Sequence, residues 1–195
     1  SVSDGQYTDS QSITVTVNAV NDAPILSSIG DREVDEDTSL NFLLSASDVE
    51  GDLLTYSVTS GTNITFTLAG NDLTFTPAQD FNGSESFTIV VNDADLEDSE
   101  TFTVTVNAVN DAPTLASVEA VNFNEDSSTS ITLFGSDIDG DDLTYSVSDG
   151  TDITATVDGS TVTFTAPDNF NGNEAFIATV TDGELLSTQT FTVTV

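Results

Sequence analysis

The sequence predicts an all-β protein made of tandem Greek-key β-sandwiches arranged end to end. Three observations support this prediction: an internal repeat, short segments of alternating hydrophobicity, and short linkers that end in proline. An offset of 89 residues (113 − 24) aligns 24–106 with 113–195 without a gap and with 39 identities in 83 positions. The heptapeptide NAVNDAP opens both copies. A fixed internal period of this kind indicates a tandem array.

Residues 1–17 fit the end of the same frame, because Asp4-Gly5 aligns with Asp182-Gly183 of the last copy. We therefore expect the chain to consist of the tail of one repeat followed by two full repeats. The expected divisions are a C-terminal hairpin of a preceding repeat at 1–17, a linker at 18–23, a repeat at 24–106, a linker at 107–112 and a repeat at 113–195.

Each full repeat contains short runs in which apolar residues alternate with Thr or Ser, the period of a strand with one buried face. In the last of these runs Phe102, Val104 and Val106 are expected to point inward. The predicted strands of the first full repeat are 25–29, 40–46, 53–59, 64–68, 72–76, 86–91 and 101–106. Its predicted core residues are Leu44, Leu54, Tyr56, Val58, Ile64, Phe75, Phe81 and Phe87. Seven short strands in a repeat of this size are typical of a two-sheet Greek-key sandwich, with helix content close to nil.

The linkers are short and stiff at their ends. Pro24 and Pro113 fix the backbone where the next first strand begins, and the preceding Ala23 and Ala112 are biased to extended conformations. We therefore expect consecutive sandwiches to follow one another end to end.

The composition excludes several classes of function. The chain has 34 acidic residues against one basic residue, Arg32, and a net charge of −33. Such a charge repels phosphate backbones and anionic lipid surfaces, so nucleic-acid binding and direct membrane contact are not expected. The absence of His, Cys and Met removes the usual soft-metal ligands and the thiol nucleophile. No apolar stretch reaches the roughly 20 residues of a membrane span, and any signal peptide or anchor is expected outside this segment.

The acidic residues allow two interpretations. Scattered ones such as Glu97, Asp98 and Glu100 have no ligand spacing and are expected to solvate the surface. Others recur at fixed positions in both repeats and are candidates for binding divalent cations through their carboxylates.

These recurring residues resemble cadherin repeats. The resemblance is carried by the Asn-Asp-Ala-Pro linkers, by Glu36-Asp37 and Glu125-Asp126, by the triplets 48–50 and 137–139, and by the late Asp93 and Asp182. It is nearest to the bacterial cadherin-like tandem domains of large surface adhesins, and it covers essentially the whole chain. It implies a cadherin-like or immunoglobulin-like sandwich, an extracellular location at the bacterial cell surface, and Ca²⁺ bound between consecutive domains.

The resemblance also implies two sets of calcium ligands. The set around the second linker is Glu36, Asp80, Asn82, Asn107, Asn110, Asp111, Asp137, Asp139 and Asp182. The set around the first linker is Asn18, Asn21, Asp22, Asp48, Glu50 and Asp93. Carboxylate and amide oxygens suit Ca²⁺, which takes six to eight oxygen ligands. Several positions that are acidic in vertebrate cadherins are Asn here, so we expect fewer ions or weaker binding, with Kd on the order of 10⁻⁴ to 10⁻³ M.

Two alternatives to a junction site remain open at this point. The acidic triplets, each followed by Gly and Asp, could wrap one ion within a single repeat, or they could be plain acidic turns. Paired carboxylates can also hydrolyse glycosides, but the acidic turns lie at one end of a small sandwich where no substrate-sized cleft is expected. We therefore predict that the protein is not an enzyme.

The sequence thus predicts calcium-binding spacer or adhesion repeats of a large extracellular bacterial adhesin, stiffened by Ca²⁺ at the junctions between repeats. The predicted partners are the adjacent repeats of the same chain. One alternative is a module that itself binds a polysaccharide or another copy. Another is a structural subunit of an extracellular filament or sheath.

Overall fold

A computed structural model describes all 195 residues and shows strands without helices. The chain divides into two compact units, Ser1–Asn107 and Ala108–Val195, here called unit 1 and unit 2. No segment forms a helix of the length and apolarity needed to cross a bilayer. The all-β prediction is confirmed.

Unit 1 contains eleven strands, of which the first two are short and lie in the first seventeen residues. They are β1 (Val2–Ser3), β2 (Thr8–Asp9), β3 (Ile25–Leu26), β4 (Arg32–Asp35), β5 (Leu40–Leu43), β6 (Ala46–Ser47), β7 (Thr55–Val58), β8 (Ile64–Ala69), β9 (Asp72–Pro77), β10 (Gly83–Asn92) and β11 (Glu97–Asn107).

Unit 2 contains nine strands that follow the same plan. They are β12 (Thr114–Leu115), β13 (Val121–Asn122), β14 (Ser128–Thr132), β15 (Gly135–Ser136), β16 (Thr144–Val147), β17 (Thr154–Asp158), β18 (Thr161–Thr165), β19 (Asn173–Thr181) and β20 (Leu186–Thr194).

Each repeat is a sandwich of a four-stranded and a three-stranded sheet. In unit 1 the strand orders are β4-β11-β10-β7 and β5-β9-β8, and β3 pairs with β6. In unit 2 the corresponding orders are β13-β20-β19-β16 and β14-β18-β17, and β12 pairs with β15. The only parallel pairings are β4 with β11 and β13 with β20. The sheet topology of the first repeat is therefore reproduced in the second.

Aromatic rings fill the space between the sheets. In unit 1 the ring centroids of Phe75 and Phe87 lie 4.5 Å apart, and Phe102, Val104 and Val106 are buried as predicted. Of the other predicted core residues, Leu44, Ile64, Phe75 and Phe87 are buried, and Leu54, Tyr56, Val58 and Phe81 are partly buried against them. In unit 2 Phe164 is the central ring, 5.4 Å from Phe176 and 5.9 Å from Phe191.

The structure differs from the predicted strands at three places in unit 1. The predicted strand 25–29 ends at Leu26, and the N–H groups of Ile29 and Gly30 donate to the Glu100 carboxylate instead. The predicted strand 40–46 is interrupted at Leu44, so β5 and β6 pair with different partners. Leu44 N–H donates to the Asn71 carbonyl at 2.8 Å, and Asn71 Nδ2 donates to the Leu44 carbonyl at 2.9 Å. Strand β4 was not predicted because its sequence, REVD, carries three charged residues. Val34 packs against the core, and the Arg32 guanidinium lies over the Phe42 ring at 5.0 Å from the centroid.

The first seventeen residues form only a small hairpin, in which Val2 pairs with Asp9. Ile13, Val15 and Val17 are exposed and belong to no strand. The assignment of this hairpin to a preceding repeat, and the exact limits of the linkers and repeats, stay predictions.

Candidate metal centre

The start of each repeat is tied to acidic loops of the same repeat by two hydrogen bonds. In unit 1 Asn21 Nδ2 donates to Asp93 Oδ2 at 2.9 Å, and Asp22 N–H donates to Glu50 Oε2 at 3.3 Å. These four residues were predicted ligands, and the structure brings them together as two bonded pairs.

Unit 2 repeats the arrangement at the equivalent positions. Asn110 Nδ2 donates to Asp182 Oδ2 at 3.0 Å, and Asp111 N–H donates to Asp139 Oδ2 at 2.8 Å. In each repeat the linker Asn side chain thus bonds the late aspartate, Asp93 or Asp182. The backbone N–H of the linker Asp bonds the third residue of the acidic triplet, Glu50 or Asp139.

The first aspartate of each triplet organises the turn that follows it. Asp137 Oδ1 accepts from the N–H groups of Asp139, Gly140 and Asp141 at 3.0 to 3.3 Å. Gly140 has φ +83°, a conformation that favours glycine. Asp48 Oδ1 does the same for Gly51 and Asp52 at 2.8 and 3.0 Å. The second oxygen, Oδ2, of both Asp48 and Asp137 is buried and has no hydrogen-bond partner.

Asp93 and Asp182 are held in the ionised form. The N–H of Leu96, the Asn21 side chain and the N–H of Asp95 lower the pKa of Asp93. The N–H of Leu185 is the main cause that lowers the pKa of Asp182, with further donors at Glu184 and Asn110. Both carboxylates therefore keep their negative charge well into the acidic range.

These residues suit a hard cation. The carboxylate oxygens of Asp137, Asp139 and Asp141 lie within 4.8 Å of one another, a spacing that one cation can bridge. All donors are carboxylate or amide oxygens, which Ca²⁺ prefers. The buried and unbonded Oδ2 of Asp137 is a polar group whose desolvation a bound cation would offset.

The other end of unit 1 carries a second acidic group. Glu36 is 3% exposed, and its N–H donates to the Asn107 carbonyl at 3.0 Å. Asp80 N–H donates to Asp37 Oδ1 at 3.1 Å. Asp37 and Asp80 both have positive φ, at 58° and 54°, so the backbone is set locally to form this contact.

Unit 2 has the same backbone contact without the second charge. Asn169 N–H donates to Asp126 Oδ1 at 3.0 Å, and the two residues have φ of 56° and 59°. Asn169 occupies the position of Asp80, since 80 + 89 = 169. The geometry is therefore shared by both repeats, and the charge at this position is specific to the first.

The side chains of three predicted ligands are not drawn into these bonds. Asn107 Nδ2 donates instead to Asp35 Oδ1 at 3.4 Å. Asn18 and Asn82 are exposed and make no side-chain hydrogen bond. The predicted set also missed two residues that the structure adds, Asp37 and Asp141. The signal for Asp37 was present in the repeated Glu-Asp pair at 36–37 and 125–126, and that for Asp141 in the acidic run after Gly140.

A protein-family model described as "Bacterial Ig domain" matches the chain twice, over residues 21–107 and 110–195. No protein of curated function matches the sequence.

Solved structures of cadherin domains share the fold. Human protocadherin-24 EC1-2, crystal form II, is 19% identical with a TM-score of 0.54, over 89% of this chain and 98% of that chain. Extracellular cadherin domains 1-4 of protocadherin gamma B7 are 16% identical with a TM-score of 0.51, over 89% of this chain and 49% of that chain.

Part of a glycoside hydrolase also aligns with this chain. Endo-fucoidan hydrolase MfFcnA4 from glycoside hydrolase family 107 is 22% identical with a TM-score of 0.43, over 92% of this chain. The chain spans only 29% of the length of that hydrolase, and this similarity carries no argument about activity.

Proposed function

Because the chain belongs to the bacterial Ig domain family in two tandem copies, we propose that it is a calcium-binding spacer segment of a large extracellular bacterial adhesin, stiffened by Ca²⁺ at its linkers. The predicted resemblance to bacterial cadherin-like tandem repeats is confirmed by the family and by the cadherin fold. Domains of this family are typically non-catalytic and typically extracellular or surface-exposed. The finer statements, that Ca²⁺ binds and that the role is adhesion, are our proposal.

The repeated geometry at the start of each repeat is the observation that carries the proposal. In both repeats a linker Asn bonds the late Asp, a linker Asp bonds the acidic triplet, and the first Asp of the triplet keeps one buried oxygen without a partner. Solvation of the surface does not require that equivalent carboxylates be held by hydrogen bonds in both repeats. A cation site benefits from such bonds, because ligands that are already oriented lose less conformational entropy on binding.

Chain connectivity supports placing the ion at the linker. Asn107 is bonded to the end of unit 1 through the N–H of Glu36, and Asn110 and Asp111 are bonded to the start of unit 2. Only two residues separate Asn107 from Asn110. An ion that takes ligands from both ends of this short segment would remove its remaining freedom.

Electrostatics gives the ion its mechanical effect. With a net charge of −33, the carboxylates repel one another, and this self-repulsion disfavours compact arrangements. A bound Ca²⁺ replaces local repulsion by coordination. We propose that the modules then form a stiffer spacer that projects a binding domain away from the cell.

The test is small-angle X-ray scattering of the full chain in EDTA and in millimolar Ca²⁺, paired with thermal melting under both conditions. The expected result is a larger maximum dimension and a higher Tm in Ca²⁺. At about 10 mM Ca²⁺, a hundredfold excess over the tighter expected Kd of about 10⁻⁴ M, binding at one site would stabilise the folded state by about 2.7 kcal/mol.

Substitutions separate coordination from general screening. Asp139→Ala and Asp111→Ala are expected to reduce both calcium responses. Asp149→Ala removes the same charge from an exposed loop outside the acidic groups and is expected to leave both responses intact. Equal responses in all three variants, or no response in the wild-type chain, would exclude the proposed site.

A further inference from the structure

The four-stranded sheet of unit 2 has an outer face without a carboxylate, although the chain carries a net charge of −33. We call it the neutral face and define it as the outward-pointing residues of β13, β16, β19 and β20. Along β20 the outward positions are Leu186 and then alternate threonines to Thr194, all exposed. Along β19 they run from Asn173 to Thr181 and include Ala175 and Ile177.

The only acidic residue in these four strands does not contribute to the face. Glu174 belongs to the inward phase of β19, opposite the buried Val193. Its carboxylate accepts from the N–H groups of Thr151 and Asp152 at 2.9 and 2.8 Å. Its carboxylate is therefore hydrogen-bonded within the repeat and does not lie on the outer face.

The first repeat shows that neutrality is specific to unit 2. At the same positions unit 1 has exposed carboxylates at Glu33, Asp35 and Glu97. The 89-residue offset replaces Glu33 and Glu97 by Asn122 and Leu186 of the neutral face, and Asp35 by Asn124, which follows β13.

Apolar surface is gained together with the loss of charge. The offset also replaces Thr88 by Ile177. Ile177 is 46% exposed and Leu186 is 59% exposed. The second repeat has thus lost the acidic residues of this face and gained two exposed aliphatic side chains, although the half-buried Val90 of unit 1 is replaced by Thr179.

We propose that the neutral face of unit 2 binds the neutral face of a second copy of this chain. Two copies repel each other because most of each surface is acidic. A face without carboxylates is where two copies can approach at the lowest electrostatic cost. Threonine hydroxyls both donate and accept hydrogen bonds, so two identical faces can satisfy each other in an isologous contact. The face carries no aromatic ring, which a polysaccharide-binding platform would use for stacking.

The size of the face predicts a weak contact. Strand spacing of about 4.8 Å and a rise of about 3.4 Å per residue give an area of about 400 Å² per partner. Stable interfaces bury about 800 Å² per partner. A single pair of faces would therefore bind weakly, and chains that carry several such repeats would associate by multivalency. This inference does not depend on Ca²⁺ binding.

The test is sedimentation equilibrium of the full chain between about 10 µM and 1 mM, in EDTA and in Ca²⁺, at about 1 M NaCl, where the Debye length of about 3 Å screens the remaining repulsion. The average mass is expected to rise with concentration from 20.4 kDa toward twice that value. Ile177→Glu and Thr190→Glu are expected to weaken this association at least tenfold.

Matched controls are available in the first repeat. Thr88→Glu and Thr101→Glu place the same charge at the equivalent positions of unit 1, where the two residues are directly paired as Ile177 and Thr190 are in unit 2. They are expected to leave the association unchanged, and circular dichroism checks that all four variants fold.

Three results would overturn the proposal. They are a monomer at every concentration, equal weakening by the unit 1 controls, or shifts of the Ile177 methyl resonances on adding dextran to a chain that stays monomeric. The last result would assign the face to neutral glycans instead.

Discussion

The two oxygens of the Asp137 carboxylate have different surroundings. Oδ1 accepts from three backbone N–H groups of the following turn, whereas Oδ2 is buried without a partner. An Asp137→Asn side chain keeps an acceptor for the turn but loses the negative charge. We therefore predict that this substitution changes Tm in EDTA by little and lowers the calcium affinity at least tenfold, as measured by isothermal titration calorimetry.

Asp149→Asn is the control for this prediction, because it removes one charge from an exposed loop residue of the same unit. It should leave calcium affinity unchanged. A large fall in Tm of Asp137→Asn in EDTA would instead mean that the charge of Asp137 serves the turn itself.

Glu85 shows a carboxylate with a structural role. Its oxygens accept from the N–H groups of Thr62, Asn63 and Ile64 at 3.0, 2.7 and 3.4 Å. Burial opposes ionisation, but these donors together lower the pKa of Glu85 below its ordinary value of 4.5. Because the pKa is lower in the folded chain than in the unfolded chain, the ionised group stabilises the fold above pH 4.5. This stabilisation is lost as the pH falls through the folded pKa.

We predict that Glu85→Gln lowers the free energy of unfolding at pH 7 by about 2 kcal/mol, since a hydrogen bond to a charged acceptor contributes about 1.5–3 kcal/mol. The amide NH₂ of Gln is itself a donor, so it would face the backbone N–H groups from which a carboxylate oxygen of Glu85 now accepts. Urea unfolding at pH 7 and at pH 3 checks this, and the difference between wild type and variant should shrink at the lower pH. A constant difference would show that the charge of Glu85 is not the cause. Glu97→Gln, at an exposed position, is the control.

At the scale of elements, Asn71 explains why the strand predicted at 40–46 is two separate strands in the structure. The apolar alternation from 40 to 46 reads as one strand, but Asn71 bonds both the N–H and the carbonyl of Leu44 and interrupts it. We predict that Asn71→Ala destabilises unit 1 by about 1–3 kcal/mol, because it leaves the carbonyl of the buried Leu44 without its side-chain donor.

The second repeat contains the control for this prediction. Ser160 is the equivalent residue, and only its carbonyl is used, by Leu133 N–H at 2.8 Å. Ser160→Ala is therefore expected to have little effect. Urea unfolding measures both, and Asn71→Ala should lower the free energy of unfolding while Ser160→Ala leaves it unchanged. Equal effects in the two repeats would contradict the role given to the Asn71 side chain.

The alternation of apolar and polar residues was sufficient to predict the long strands and most of the core. Phe75, Phe87 and Phe102 occupy the apolar positions of this alternation, and all three are buried. It missed β4, whose charged sequence is supported by tertiary contacts such as Arg32 on Phe42. At the candidate metal centre, the family pattern indicated which residue types could bind a cation. It marked Asp37 through the repeated Glu-Asp pair, but it could not show the contact of Asp37 with Asp80, which depends on the positive φ of both residues.

At the scale of the whole molecule, charge can act through solvation or through coordination, and the two mechanisms predict different ion dependence. If the 34 acidic residues only repel one another, all salts raise Tm by the same amount at equal ionic strength, because the Debye length is set by ionic strength. If Ca²⁺ is coordinated, it raises Tm more than NaCl does at equal ionic strength.

We predict that Ca²⁺ is coordinated and raises Tm more than NaCl does, and that it also raises Tm more than Mg²⁺ does. Mg²⁺ demands near-octahedral geometry and dehydrates reluctantly, whereas Ca²⁺ accepts flexible sets of six to eight oxygens. The ligands available here are carboxylates and Asn amides spread over several loops, which suits the more adaptable ion. Melting curves in NaCl, MgCl₂ and CaCl₂ at matched ionic strength should therefore give the largest increase in Tm with Ca²⁺. An equal increase with all three salts would assign the acidic residues to solvation alone and would remove the physical basis for a calcium-stiffened spacer.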